Sequence, residues 1–183
     1  MSKAAPPLHV VTGGPGAGKT TLIDALARSG FAVAAEAGRA VINEQQASGG
    51  RALPSVDALA FAAAMLARDV AAYEAHRAAA GPVFFDRGIP DSVGYLRLEG
   101  LPVPPAMLRA AQVHRYARVF ICPPWPDIYV TDQERRQTHE VAVRTYEAMV
   151  ETYGALGYRP IEVPRTTVAE RARFVLESIE GGA

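Results

Sequence analysis

Hydrophobic residues along this chain fall into two kinds of segment. Short apolar runs, each closed by glycine, proline or an acidic residue, are typical of buried strands. Longer segments carry apolar residues three and four positions apart, the spacing of one face of a helix. The short runs predict strands at 8–12, 31–35, 83–85, 118–122 and 158–163. The longer segments predict helices at 19–29, 36–46, 55–80, 90–99, 104–115, 140–153 and from 167 onward.

The alternation of strands with helices predicts the fold class. A chain of this pattern forms a mostly parallel α/β sheet with helices on both faces, in three layers. A length of 183 residues suits a single domain, so we expect one domain over residues 1–183. The longest predicted helix should bury an apolar stripe made of Val56, Leu59, Ala63, Leu66, Val70 and Tyr73.

Charge and cysteine content exclude several classes of protein. The 19 basic and 19 acidic residues balance, so the chain lacks the excess of positive charge that binds nucleic acid without sequence preference. The single cysteine, Cys122, cannot form an internal disulfide, and no cysteine–histidine spacing suggests zinc. No apolar run is long enough to span a membrane. We therefore expect a cytoplasmic protein, and the sequence leaves its oligomeric state open.

A glycine-rich loop between the first strand and the first helix is the most informative motif. Its residues fit the pattern G-x-x-x-x-G-K-[ST] of a P-loop (Walker A motif). The glycines let backbone N–H groups approach phosphates, Lys19 reaches the β- and γ-phosphates, and the Thr20 hydroxyl ligates Mg²⁺. The sequence therefore predicts ATP and Mg²⁺ as ligands. The predicted nucleotide-binding residues are Gly13, Gly14, Pro15, Gly16, Ala17, Gly18, Lys19, Thr20 and Thr21.

Two acidic residues follow strands elsewhere in the chain. Asp86 ends the apolar run 83–85, where P-loop proteins place an acid beside the magnesium ion; its alternative role is to cap the following turn. Arg87 either contacts a substrate anion or pairs with Asp91. Glu36 follows the second strand, at a sheet edge where ligands bind, and could accept the proton of an attacking hydroxyl. Arg39 should lie on the same side, as a substrate contact or as a surface partner of Glu36.

An arginine-rich segment follows the fourth strand. Small P-loop kinases carry a lid here, at about 125–140, whose arginines neutralise the transferring phosphoryl group. Arg135 and Arg136 are the candidates, although a charged segment of this kind can also be a solvated surface. The loop 164–167 lies where many P-loop kinases hold the adenine, and Thr167 should cap the last helix.

Four of these segments, in their order and spacing, resemble one family. It is the predicted-ATPase group of P-loop proteins, which carries an AAA-type domain label although it is similar to small kinases. It includes domains similar to nicotinamide riboside kinase. The segments are 13–21, 36–39 with Val41 and Ile42, 84–88 and 132–135. Gly38 departs from the group, since an alanine is common there, and this loosens the start of that helix.

The resemblance implies a fold and a set of roles. The expected sheet has five parallel strands in the order 2-3-1-4-5, together with a small lid. ATP and Mg²⁺ would bind at Gly13 to Thr20, with Asp86 as the magnesium-side acid, Glu36 as the substrate-side acid, and arginines in the lid. The group does not name a substrate for this chain.

Two functions fit these expectations. The first is a kinase that transfers the γ-phosphoryl group of ATP to a hydroxyl of an unidentified small molecule; Arg39, Arg87 and Arg97 would suit an anionic or hydroxyl-rich acceptor. The second is an ATP-hydrolysing regulatory module that acts on a protein partner. A GTPase fits poorly because no N-K-x-D segment is present, and a hexameric motor fits poorly because the chain leaves no room for a helical lid domain.

Overall fold

The structure is a computed structural model that describes residues 7–125 and 139–181. Most of the predicted lid, including Arg135 and Arg136, lies outside these residues. The strands are β1 (Leu8–Gly13), β2 (Ala32–Ala34), β3 (Val83–Asp86), β4 (Arg118–Cys122) and β5 (Ile161–Glu162). The helices are α1 (Lys19–Arg28), α2 (Ala37–Ser48), α3 (Ala58–His76), α4 (Ile89–Leu98), α5 (Pro105–Val113), α6 (His139–Ala155) and α7 (Val168–Glu180).

The five strands form one parallel sheet in the order β2-β3-β1-β4-β5, which confirms the expected topology. In the centre of the sheet, Val10 of β1 lies opposite Phe85 of β3 and Val119 of β4. Because the strands are parallel, their carboxyl ends meet at one edge of the sheet. The loops that leave β1, β2 and β3 therefore converge at that edge.

Helices cover both faces of the sheet, as predicted. On one face, α1 and α7 pack against Val11, Phe84 and Phe120. On the other face, α3, α4, α5 and α6 pack against the opposite side chains of the same strands, including Val10 and Phe85. The central strands are thus apolar on both sides, which is why they appear in the sequence as short continuous hydrophobic runs. None of the described helices is long and apolar enough to cross a membrane.

The buried side of α3 differs from the predicted stripe. Val56 precedes the helix and is 49% exposed, and Leu59 is 43% exposed. Apolar residues surround most of this helix, so their spacing alone does not select one side. Packing selects it: the ring of Phe61 lies 5.4 Å from that of Tyr95 in α4, edge to face. The residues that become buried are Phe61, Ala62, Asp69 and Tyr73.

Candidate active site

The phosphate loop joins β1 to α1 and is fixed by backbone contacts. Gly18 precedes α1 with φ 73°, a left-handed conformation that glycine adopts without strain. Gly14 lies against the start of α6, where a Cβ atom would come within 2.4 Å of the carbonyl oxygen of Ala142. These two positions explain why the loop requires glycine there. The loop is thereby held between the end of β1 and the start of α6.

Lys19 is the first residue of α1 and is buried. Its ammonium group donates a hydrogen bond to the carbonyl oxygen of Gly14, 2.5 Å away, so the side chain folds back over the loop. Burial and, to a smaller extent, the charge of Arg87 lower the pKa of Lys19 to about 8. A polyphosphate bound in the loop would favour the charged ammonium and reverse this shift. The loop therefore holds a cation whose charge an anionic ligand would stabilise.

Arg171 of α7 stabilises the phosphate loop through hydrogen bonds to its backbone. Its side chain is fully buried and donates hydrogen bonds to the carbonyl oxygens of Ala17 (3.0 Å) and Gly18 (3.2 Å). The guanidinium carbon also lies 5.7 Å from the ring centroid of Trp125, just after β4. Arg171 was not among the residues predicted from the sequence. The available signal was an arginine next to Ala172 and four residues before Val175, on the apolar side of α7.

Two candidate magnesium residues lie near the loop. Thr20 is exposed at the start of α1. Asp86, at the end of β3, is buried, and its Oδ1 atom has no hydrogen-bond partner among the described residues. Burial and the charge of Glu36 raise the pKa of Asp86, whereas Lys19 acts in the opposite direction. Thr21 donates its hydroxyl hydrogen to the carbonyl oxygen of Gly18, 3.0 Å away.

Arg87 connects the ends of two strands. Its Nε atom lies 3.1 Å from a carboxylate oxygen of Glu36, and its Nη1 atom lies 3.1 Å from Oδ1 of Asp91. Of the two roles considered for Arg87, the pairing with Asp91 is present, and Glu36 is a second partner. Burial acts to lower the pKa of Arg87, but the carboxylates of Asp91, Glu36 and Asp86 outweigh it and raise the pKa.

Asp91 organises the start of α4. One carboxylate oxygen accepts hydrogen bonds from the Thr12 hydroxyl (2.6 Å) and from Arg87; the other accepts from the Tyr153 hydroxyl (2.6 Å) and the backbone N–H of Gly88 (3.0 Å). Asp91, and not Asp86, therefore caps the turn after β3. The sequence indicated only a favourable charge at a helix start, because Thr12 and Tyr153 are distant in sequence and meet only in the folded chain.

Glu36 lies directly before α2, where its backbone caps the helix. Burial acts to raise its pKa, but the charges of Arg87 and Lys19 outweigh this effect and hold the pKa below its usual value. Arg39 lies 3.8 Å from the other Glu36 oxygen and is largely exposed. The fold thus brings Lys19, Glu36, Asp86 and Arg87 to one edge of the sheet. Arg135 and Arg136 lie outside the described residues and stay predictions.

The loop after β5 contacts the end of β4. Arg165 donates a hydrogen bond from Nε to the carbonyl oxygen of Pro124, 3.0 Å away. Thr167 and Glu170 form the predicted capping box at the start of α7. The loop 164–167 therefore lies on the same side of the sheet as Trp125 and Arg171. Arg171 is the residue that donates hydrogen bonds to the phosphate loop. Its contact with an adenine base stays a prediction.

Fold and loop together define a P-loop protein with a kinase-like architecture. The chain belongs to the AAA domain family, whose model matches residues 8–171. No curated protein matches the sequence. The chain is similar in structure to NadR in complex with NR, at 18% identity and a TM-score of 0.72. That match covers 96% of this chain but only 50% of NadR, so the chain spans about half the length of that protein.

Two further solved structures match over nearly their whole length. The deoxyadenosine kinase of M. mycoides has a TM-score of 0.66 at 12% identity, and the match covers 95% of this chain and 99% of the kinase. The thymidylate kinase of Ehrlichia chaffeensis has a TM-score of 0.64 at 14% identity, and the match covers 94% and 97%. At these identities the similarity establishes a shared fold. The names of the three proteins indicate three different ligands or substrates.

Proposed function

We propose that this protein is a kinase that transfers the γ-phosphoryl group of ATP to a hydroxyl group of a small molecule. The observation that carries the proposal is that Glu36 lies beside Asp86 and Arg87 at the sheet edge where Lys19 begins α1. A carboxylate opposite a phosphate loop is the arrangement that phosphoryl transfer to a hydroxyl requires. The charges of Arg87 and Lys19 favour the ionised form of Glu36, which is the form that can accept a proton.

The phosphate loop supplies the nucleotide half of the proposed site. Backbone N–H groups of 13–20 and the start of α1 would surround the phosphates, and Lys19 would exchange its bond to Gly14 for one to a phosphate oxygen. A magnesium ion fits this edge because Thr20 presents an exposed hydroxyl and Asp86 has a carboxylate oxygen without a partner. When bound, magnesium neutralises charge between the β- and γ-phosphates.

The transfer step follows from the positions of these groups. The acceptor oxygen forms a bond to the γ-phosphorus, and the bond from that phosphorus to the bridging oxygen of ADP breaks. The hydroxyl proton passes to Glu36. Arg87 holds the Glu36 carboxylate in place through its 3.1 Å bond, and Asp91 holds Arg87 in turn. The described residues thus provide a base with a fixed orientation next to the phosphate loop.

The test is Glu36→Gln, assayed for ATP-dependent phosphorylation of nicotinamide riboside and deoxyadenosine, hydroxyl-bearing compounds that the names of the similar proteins suggest. Glutamine keeps an oxygen for Arg87 but cannot accept a proton. We expect kcat to fall about 100-fold or more, the usual contribution of a general base. Calorimetry with AMP-PNP and Mg²⁺ should give a nucleotide affinity close to that of the wild type.

The matched control is Glu44→Gln, because Glu44 lies on the same helix but is exposed and pairs with Arg68. Its turnover should equal that of the wild type. Unchanged turnover in Glu36→Gln would contradict the role of Glu36 as base. Steady ATP hydrolysis that no compound in the panel alters would instead favour the regulatory module.

A further inference from the structure

Asp69 is a buried carboxyl group without a hydrogen-bond partner in the described chain. It lies on the buried side of α3, is 5% exposed, and has Phe61, Ala62 and Tyr73 as neighbours on that side. An unpaired carboxyl costs free energy in such a place, and a buried polar side chain normally finds a partner. The proposed transfer of a phosphoryl group gives Asp69 no role. A ligand that binds beside α3 would supply the missing partner.

The surroundings of Asp69 place it next to the candidate active site. Its carboxyl interacts electrostatically with Asp91, Arg87 and Glu36, the groups at the ends of β2 and β3. Helix α3 also packs on α2: a Cβ atom on Gly38 would lie 3.2 Å from the sulfur of Met65, one turn before Asp69. Asp69 therefore lies on the α3 side of the edge where Glu36 would meet the acceptor.

Two more polar groups on the facing helix lack partners. The hydroxyl oxygens of Ser92 and Tyr95 are buried and make no hydrogen bond with the described residues. Ser92 precedes Tyr95 by three residues, so both occupy the same side of α4, and the Tyr95 ring contacts Phe61 of α3. Helix α4 thus carries two buried hydroxyl groups without partners, and the facing helix α3 carries the largely buried carboxyl of Asp69; polar groups of this kind can line a site for a small polar ligand.

Among the described residues, the two arginines beside Glu36 do not offer a free positive charge to an anionic acceptor. Arg87 is paired with Glu36 and Asp91, and Arg39 is paired with Glu36. Arg97 donates to the Thr152 hydroxyl, 3.2 Å away on α6, the side of α4 that also carries Gly94. An anionic group brought next to Asp69 would therefore meet carboxylates whose countercharges are already engaged.

We propose that Asp69 is a specificity-determining residue of the acceptor site. Its carboxyl accepts a hydrogen bond from an N–H or O–H group of an uncharged or cationic acceptor, and the site excludes acceptors that carry a carboxylate. This inference rests on the proposed function, because it takes the acceptor to bind between Glu36 and α3. The sequence predicted an acceptor that is anionic or rich in hydroxyl groups. This inference keeps only the hydroxyl-rich class.

The electrostatic environment supports the exclusion of anions. Burial, together with the charges of Asp91 and Glu36, raises the pKa of Asp69 to about 8. The charge of Arg87 acts in the opposite direction. A raised carboxyl pKa reports an environment that disfavours negative charge. The same environment penalises a ligand carboxylate, whereas a donor or a cation beside Asp69 is favoured.

The experiment compares pairs of compounds that differ by one carboxylate: uridine with orotidine, and nicotinamide riboside with nicotinic acid riboside. Calorimetry is done on the full chain loaded with Mg²⁺ and AMP-PNP. We expect the compound without the carboxylate to bind at least tenfold more tightly in at least one pair. Asp69→Leu, which is similar in size but has no hydrogen-bond acceptor, should weaken binding of that compound by up to about tenfold, the loss of one hydrogen bond. In turnover assays it should raise KM with little change in kcat.

The control variant is Glu74→Gln, an exposed carboxylate on the same helix that pairs with Arg77. It should leave both affinities unchanged. Wild-type binding of Mg–AMP-PNP by Asp69→Leu verifies that this variant is folded. The inference is overturned if the carboxylate-bearing compounds bind equally well, if none of the four compounds binds, or if Asp69→Leu changes nothing.

Different experimental outcomes would refute this inference and the proposed function. Phosphorylation of orotidine, which carries a carboxylate, with no dependence on Asp69 would support the proposed kinase and refute the role of Asp69. Asp69-dependent binding of uridine or nicotinamide riboside without any phosphoryl transfer would support the role of Asp69 and refute the kinase.

Discussion

Arg87 is the only non-glycine residue of the described chain with a positive φ, 68°. A non-glycine residue in this left-handed region lowers the free energy of unfolding by about 1–3 kcal/mol. It keeps this conformation only when its surroundings hold it there. Here the surroundings are Glu36 on one side and Asp91 on the other, both within hydrogen-bond distance. The backbone turn after β3 thus directs the guanidinium to the sheet edge. Strain at a single residue coincides with the candidate active site.

The buried carboxyl of Asp69 also lowers the free energy of unfolding, by an amount that depends on pH. Its pKa is about 8 in the folded chain, against about 3.8 when exposed, so the folded state holds a proton that the unfolded state releases. Stability is therefore lost as pH rises from about 4 to 8, at about 1.4 kcal/mol per pKa unit. We expect Asp69→Asn to be more stable than the wild type at pH 8, by several kcal/mol, in urea unfolding.

The difference between the two proteins should shrink as pH falls and level off near pH 4. Glu151→Gln provides the reference, because Glu151 is an exposed carboxylate on α6. Parallel stability curves for the wild type and Asp69→Asn between pH 5 and pH 8 would contradict the prediction. A gain in stability on removing Asp69 would fit a residue kept for binding.

At the scale of elements, α7 and the phosphate loop form one unit although about 150 residues separate them. Arg171 bonds two carbonyl oxygens of the loop, and α7 packs on α1 through Ala172 and Val175. Carbonyls that bond Arg171 point away from the phosphate side, which leaves the N–H groups of the same peptides free to face a ligand. The last helix thus fixes the orientation of peptides in the loop.

Arg171→Met should weaken nucleotide binding. Methionine fills similar space but removes the side-chain donor of the Ala17 carbonyl and one of the donors of the Gly18 carbonyl, so the loop peptides are held less firmly. We expect the affinity for Mg–AMP-PNP to fall about tenfold or more, which corresponds to ~1.4 kcal/mol. Titration calorimetry measures this directly.

The control for that measurement is Arg173→Met, since Arg173 is exposed on α7 and lies 3.8 Å from Glu177. It should bind nucleotide as the wild type does. Wild-type affinity in a folded Arg171→Met protein would show that the loop keeps its shape without α7.

At the scale of the whole molecule, the parallel sheet gathers charges that are far apart in sequence. Lys19, Glu36, Asp86 and Arg87 follow three different strands, yet each influences the pKa of others in the group. The set contains two cations and two carboxylates, and Asp91 adds a third carboxylate. A bound nucleotide with its metal would change this balance most strongly at Lys19. Ligand binding should therefore be visible in the stability of the whole fold.

Mg–AMP-PNP should stabilise the protein. At a ligand concentration 100 times Kd, the expected gain is about 2.7 kcal/mol, or roughly 5–10 °C in Tm for a chain of this size. Thermal unfolding of the wild type measures the shift. In Lys19→Ala the shift should be lost, because the ammonium group that meets the phosphates is gone.

Amine labelling offers an independent check, since the chain contains only two lysines, Lys3 and Lys19. The lowered pKa of Lys19, about 8, leaves part of its amine uncharged and reactive at mildly alkaline pH. Mg–AMP-PNP should protect Lys19, and mass spectrometry can use Lys3 as the internal reference. Equal labelling of Lys19 with and without nucleotide would contradict binding at the loop.

The sequence predicted most of the fold because its signals are local. Buried central strands need continuous apolar runs, and the predicted strand 118–122 coincides with β4. The buried stripe of α3 was predicted correctly at Tyr73 and in part at Leu66 and Val70, but wrongly at Val56 and Leu59. Alanine, leucine and phenylalanine surround that helix, and only its contact with α4 selects the side. Local pattern does not carry that information.

The sequence by itself determined the phosphate loop, whose glycines and lysine act within eight consecutive residues, and the alternation that produces a parallel sheet. Only the tertiary structure decided the partners of Arg87, the four donors around Asp91, the support of the loop by Arg171 and the burial of Asp69. The physical reason is range. Backbone conformation and apolar periodicity are properties of neighbouring residues, whereas hydrogen bonds and charge interactions between distant residues exist only after packing has brought them together.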